Sequence, residues 1–155
     1  MSAKQKIVID ADGLTMGKLA AFAAKQGLNG ENVVIFNAEK ALISGKPDAI
    51  FADMKTRFSA KSHTNPRRYG PKRPKNPDRF LRRVIRGMLP YTKPKGIEAF
   101  SKIMVYKGRP ELTILKKEQV DLNKVTLQDT KGMVGHYDYF VTIGELCKYL
   151  GGKSE

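Results

Sequence analysis

Cysteine is nearly missing from this chain. Cys147 is the single one in 155 residues, which excludes an intrachain disulfide and fits a reducing compartment. Histidine occurs only as His63 and His136, and with one cysteine these offer no ligand spacing for a metal; neither a metal nor a cofactor is expected. No apolar run approaches the roughly 18 residues of a membrane-spanning helix. The run nearest the N-terminus, Ile7-Val8-Ile9, is closed at once by Asp10. That is too short for the core of a secretory signal, so an intracellular protein is expected. The length suits one domain, and a hydrophobic fraction of 41% is enough to enclose a core.

The scarcity that says most is of acid between positions 55 and 96. Asp78 stands there alone against fourteen bases: Lys55, Arg57, Lys61, Arg67, Arg68, Lys72, Arg73, Lys75, Arg79, Arg82, Arg83, Arg86, Lys93 and Lys95. The segment carries +13 of the net +14, and the remaining residues, fifteen basic and fourteen acidic, sum to +1. Such a polycation repels itself until a polyanion neutralises it. A membrane surface would require large apolar groups among the bases, yet Tyr69 is the only aromatic residue between 59 and 79. Nucleic acid is the favoured partner, with no membrane and no small-molecule substrate.

What is present reads as an α/β chain. Lys6 to Asp10 is a β-branched strand, Met16 to Gln26 a helix with Leu19, Phe22, Ala23 and Gln26 on one face, and Gly27 suits its stop. Val33 to Phe36 reads as a strand buried on both faces, so the first thirty-odd residues form a βαβ unit with parallel pairing. A helix is predicted over 47–58, opened by Pro47 and striped by Ile50, Phe51, Met54 and Phe58. From Ser59 to Asn76 the apolar pattern stops, Pro66, Pro71, Pro74 and Gly70 intervene, and an extended basic arm, mobile in isolation, is expected.

Asn76-Pro77-Asp78 then opens a helix over 77–89, with Asn76 as N-cap and Pro90 as stop. Phe80, Leu81, Val84, Ile85, Met88 and Leu89 centre on one side, while Arg79, Arg82, Arg83 and Arg86 centre on the other. Ile97 to Lys102 reads as a short helix and Ile103 to Tyr106 as a buried strand. Thr142-Ile143-Gly144-Glu145 has capping-box spacing before a last helix that Gly151-Gly152 would end, with Cys147 as a small buried hydrophobe. Residues 111–141 carry no decisive pattern.

Two enzyme readings arise at the first strand-to-helix turn. Asp10-Ala11-Asp12-Gly13 resembles the nucleophile loop of haloacid-dehalogenase-like phosphatases, in which one carboxylate attacks phosphorus and the next acts as acid and base. Leu14 stands where that family has threonine, and no later acidic pair supplies the metal. Gly13-Leu14-Thr15-Met16-Gly17-Lys18-Leu19 has three residues between its glycines where a phosphate-binding loop has four, and Leu19 lacks the hydroxyl that would hold magnesium. Neither string is read as catalytic, and no enzyme is expected.

Several strings together resemble the large-subunit ribosomal protein L-thirteen family (the universal member thirteen). They are Val8-Ile9-Asp10-Ala11 with Gly13 and Gly17-Lys18-Leu19-Ala20; Asn37-Ala38-Glu39-Lys40 with Ser44-Gly45-Lys46; Arg86-Gly87-Met88-Leu89-Pro90; Lys93 to Gly96; and Lys102 to Gly108. They follow the family's order over roughly residues 7 to 110, and Asp12 sits where the family accepts several residues. The arm around Thr64 to Pro71, and an end at Glu155 without a long extension, resemble the archaeal branch. The resemblance implies a single domain over 1–155, a three-layer α/β/α body around a parallel or mixed four-stranded sheet, with the basic arm at 59–76. It also implies a structural role in the cytoplasmic ribosome, bound to large-subunit rRNA and to neighbouring large-subunit proteins, and support of subunit assembly. The residues expected at RNA are the fourteen bases, with Tyr69 and His63 as stacking groups. If about half of the cations engage phosphate, the slope of log affinity against log salt is on the order of −5 to −6. A general RNA chaperone would share the basic segment but show no preference for a ribosomal site.

Overall fold

The computed structural model describes residues 6–61, 63–65, 68, 71–108, 131–135 and 137–152. The element order is β1 (Lys6–Asp10), α1 (Met16–Leu28), β2 (Asn32–Phe36), β3 (Leu42–Ser44), α2 (Pro47–Ser59), α3 (Pro77–Gly87), α4 (Pro94–Ser101), β4 (Ile103–Val105), β5 (Phe140–Thr142) and α5 (Ile143–Tyr149). The fold is α/β, and β1, β2 and β4 form a parallel sheet with β2 at its centre. Ile7 sits opposite Val33, Ile9 opposite Ile35, and Val34 opposite Met104. The βαβ unit is therefore present with its expected pairing.

Among the described residues this sheet has three strands rather than the expected four. Outside this sheet lies β3. The Leu42 amide donates to the Leu14 carbonyl at the β1–α1 turn, and β3 pairs antiparallel with β5. The strand at Ile103 buries Ile103 and Val105 as expected, while Met104 between them is 36% exposed. The helix before it starts earlier, at Pro94, where proline fits the first turn.

Ile9, Leu19, Ile35, Leu81, Ile85, Ile103, Ile143 and Leu146 are fully buried and join sheet to helices. Each such side chain contributes roughly 1.5–3 kcal/mol against remaining in water. Gly27, expected to stop α1, lies inside it and is buried. A Cβ there would stand 2.9 Å from Ile103 Cδ1 and 3.2 Å from the Ala99 carbonyl, so the glycine serves close approach of α1 to α4 and β4. At the other end of the chain the capping box is complete. The Thr142 hydroxyl accepts from the Glu145 amide, and the Glu145 carboxylate accepts from the Thr142 amide. Cys147 on α5 is buried, and desolvation, followed by the nearby Asp78 carboxylate, pushes its thiol up to about 11.

Candidate nucleic-acid interface

The basic surface is mounted on α3. Leu81 and Ile85 are wholly buried and Phe80 and Leu89 nearly so, which anchors one face of the helix in the core. The helix ends at Gly87, short of the expected boundary, and Met88 is 43% exposed rather than part of the apolar face. Asn76 makes no side-chain cap; its carbonyl accepts the Phe80 amide at 2.8 Å, and proline at the first position already removes one donor that would need capping.

Opposite the anchored face stand Arg79, Arg82, Arg83 and Arg86. Arg79 and Arg83 are exposed, while Arg82 and Arg86 are half-buried because aromatic rings lie beneath them. The Arg82 Cζ sits 4.6 Å from the centre of the Phe100 ring, and the Arg86 Cζ sits 4.8 Å from that of Tyr91. The two rings meet edge to face at 5.4 Å. Each cation–ring contact is worth about 0.5–2 kcal/mol, more as water is excluded. Phe100 reaches this place because α4 folds back tightly on the turn after α3. Gly96 makes that approach, since a Cβ there would collide with the Pro90 carbonyl.

Where the chain returns from 71–76 toward α3, a hollow of about 370 Å³ opens. Lys72, Arg73, Arg79, Arg82, Arg83 and Arg86 line it with Pro74 and Phe100, and no acid is among them. A second hollow of about 340 Å³, with Arg57, Met54, Phe58 and Pro71 in its walls, shares Arg73 and Arg83 with the first. The Arg73 guanidinium donates to the Arg57 carbonyl at the end of α2, tying this stretch to the body. None of the three ion pairs among the described residues uses an arginine of α3. The site is a dense field of uncompensated cations, and bidentate guanidinium groups suit phosphate oxygens.

The expected RNA-binding residues do not all gather here. Lys72, Arg73, Arg79, Arg82, Arg83 and Arg86 converge on one hollow, and Arg57 lines the other while paired with Asp53 at 2.9 Å. Lys55, Lys61, His63, Arg68, Lys75, Lys93 and Lys95 are exposed and line neither. Arg67 and Tyr69 lie outside the described residues. Phe100 and Tyr91 belong to the site but were not expected there. Local spacing carries no sign that they lie beneath the arginines of α3.

The strand-to-helix turn is fastened structurally. Asp10 Oδ1 accepts from Asn37 Nδ2 at 2.8 Å and from the Asp12 amide at 3.1 Å, and Asp12 pairs with Lys40 at 3.2 Å. The Thr15 amide, which a phosphate-binding loop would offer to its ligand, donates to the Met133 carbonyl. Among the described residues no group of three His, Cys, Asp or Glu side chains could hold a metal. This arrangement gives no support to the phosphatase alternative.

Known proteins resemble the chain over nearly its whole length. A family model described as ribosomal protein L13 matches residues 4–112. The large ribosomal subunit protein uL13 of Methanocaldococcus jannaschii is 46% identical over 147 residues, covering 94% of this chain and 98% of the relative. That of Methanococcus maripaludis is 41% identical over 147 residues, covering 95% and 98%. The Archaeoglobus fulgidus protein of the same name is 35% identical over 144 residues, covering 93% and 86%. These alignments extend past the end of the family model into the C-terminal segment. With its uncompensated cations on one anchored helix and its matches in archaea, the chain belongs to the ribosomal protein L13 family in its archaeal form.

Proposed function

We propose that this chain is a structural, non-enzymatic constituent of the large ribosomal subunit, working in the cytoplasmic ribosome and binding large-subunit rRNA through its basic segment. The observation that carries the reading is the acid-free hollow of six cations on α3 and the adjoining strip. Phosphate contacts of this kind position a protein on RNA without reading sequence, and they release counterions on binding. The whole of 1–155 is proposed as one rRNA-binding unit. A three-layer body, a fourth strand in its sheet, an extended arm at 59–76 and contacts with neighbouring ribosomal proteins belong to the same proposal. So do RNA contacts by Lys55, Lys61, His63, Arg67, Arg68, Tyr69, Lys75, Lys93 and Lys95, and a part in subunit assembly.

The test is sedimentation of tagged protein in a low-salt lysate, with sequencing of the RNA that co-purifies. Comigration with large subunits, lost when Arg79, Arg82, Arg83 and Arg86 are all changed to Glu, is the expected result. Protein found only in soluble fractions without rRNA would overturn the reading. Equal capture of unrelated RNAs would point to a general RNA chaperone instead.

A further inference from the structure

We propose that Phe100 and Tyr91 form an aromatic shelf that positions Arg82 and Arg86, so that the hollow above α3 is a pre-built subsite for RNA phosphodiester. This rests on the RNA-binding reading above and adds a division of labour within it. Arg82 and Arg86 lie over ring faces at 4.6 and 4.8 Å, and the rings brace one another at 5.4 Å. No ring lies under Arg79 or Arg83 among the described residues. Among the described residues no hydrogen bond holds the Arg82 Nε either, which is buried without a partner. The Phe100 ring therefore fixes that guanidinium plane. A long side chain pays rotamer entropy when a ligand immobilises it, and an arginine already seated on a ring has lost that freedom before RNA arrives.

Position and charge separate in the salt dependence of binding. The slope of log affinity against log salt counts neutralised phosphates, whereas affinity at fixed salt also reports how well the cations are placed. The experiment is filter binding of the full chain to a large-subunit rRNA transcript and to an unrelated RNA of equal length, across a range of salt. Phe100→Leu removes the shelf and no charge, and is expected to weaken rRNA binding about five- to tenfold with the slope unchanged. Arg82→Lys keeps the charge and loses the plane; it is expected to show a similar loss and the same slope. Arg82→Gln is expected to make the slope shallower by roughly 0.7–0.9. Phe100→Leu combined with Arg82→Lys should weaken binding no further than Arg82→Lys alone.

Wild-type affinity in both conservative variants, losses that multiply in the double variant, or a changed slope in Phe100→Leu would each overturn the shelf. Should Phe100→Leu fail to fold by its melting curve, Arg82→Lys decides alone, because that side chain lies outside the buried core. If the wild-type chain binds both RNAs equally, the ribosomal reading fails. The shelf is then judged by the same variants on either RNA, where a shared loss at constant slope supports it and no loss overturns it.

Discussion

Two helices of this protein begin alike and end in different roles. Both α2 and α3 open on proline, carry an aspartate next to it and place an arginine in the last turn. Yet α3 buries Pro77, Phe80, Leu81 and Ile85, whereas no residue of α2 is fully buried. Phe51 of α2 rests at 4.7 Å from Tyr149, itself 51% exposed, so α2 lies at the margin of the core. Their charges differ in the same sense. Arg57 of α2 is paired with Asp53 one turn earlier, while the four arginines of α3 enter no ion pair among those described. Anchoring one face in the core gives the opposite face a fixed direction, and with no ion pair among the described residues its charge is free for a ligand.

Charge reversal is the harshest way to break this difference. Changing Arg79, Arg82, Arg83 and Arg86 to Glu is expected to lower rRNA affinity about a thousandfold near 0.1 M salt, about 4 kcal/mol. Reversing Lys55 and Arg57 of α2 should cost about tenfold in the same filter-binding assay. Equal losses would show that the anchored helix has no special standing. Stability gives the next largest contrast. Leu81→Ala empties a fully buried site and is expected to cost about 3 kcal/mol in denaturant unfolding, whereas Met54→Ala, half-buried on α2, should cost about 1 kcal/mol.

Both helices were legible in the sequence because each writes its apolar stripe within a few turns. So were the βαβ unit and the capping box at Thr142, which depend on residues close in the chain. The β3–β5 pair was not, since it joins three-residue strands about a hundred positions apart, too short for any period to register. Gly27 reads locally as a stop, and only the distant Ile103 and Ala99 show that it is a contact. Met88 continues the helical stripe in sequence, but α3 ends at Gly87 and the side chain faces water. At the candidate site the arginines were visible as a cluster, and their seats on Phe100 and Tyr91 were not.

The buried side of α3 has a pH signature as well. Asp78, in its first turn, adds to the desolvation that raises the Cys147 thiol from 9.0 to about 11. The unfolded chain therefore releases this proton at lower pH than the folded one. Stability from this group is complete below pH 9 and declines as pH rises through 11, by about 2.7 kcal/mol at most. Cys147→Ala should flatten that part of the stability profile against wild type measured in parallel. An unchanged profile would mean that the thiol is less sheltered than its burial implies.

The smallest expected effect bears most directly on whether α2 is the lesser binding surface. Asp53→Asn breaks the pair with Arg57, both partners of which are largely exposed. The stability cost should be no more than about 0.5 kcal/mol, since exposed pairs one helical turn apart contribute little. Affinity for rRNA should rise about two- to threefold, because an arginine already lining the second hollow becomes available and one acid disappears. The steeper salt dependence that accompanies this gain should vanish in Asp53→Asn combined with Arg57→Gln. A gain that survives in the double variant would assign the effect to the lost aspartate alone and leave Arg57 outside the interface. If Asp53→Asn brings no gain at all, the ion pair is not what holds α2 back, and its shallow seating on the core is left as the physical difference between the two helices.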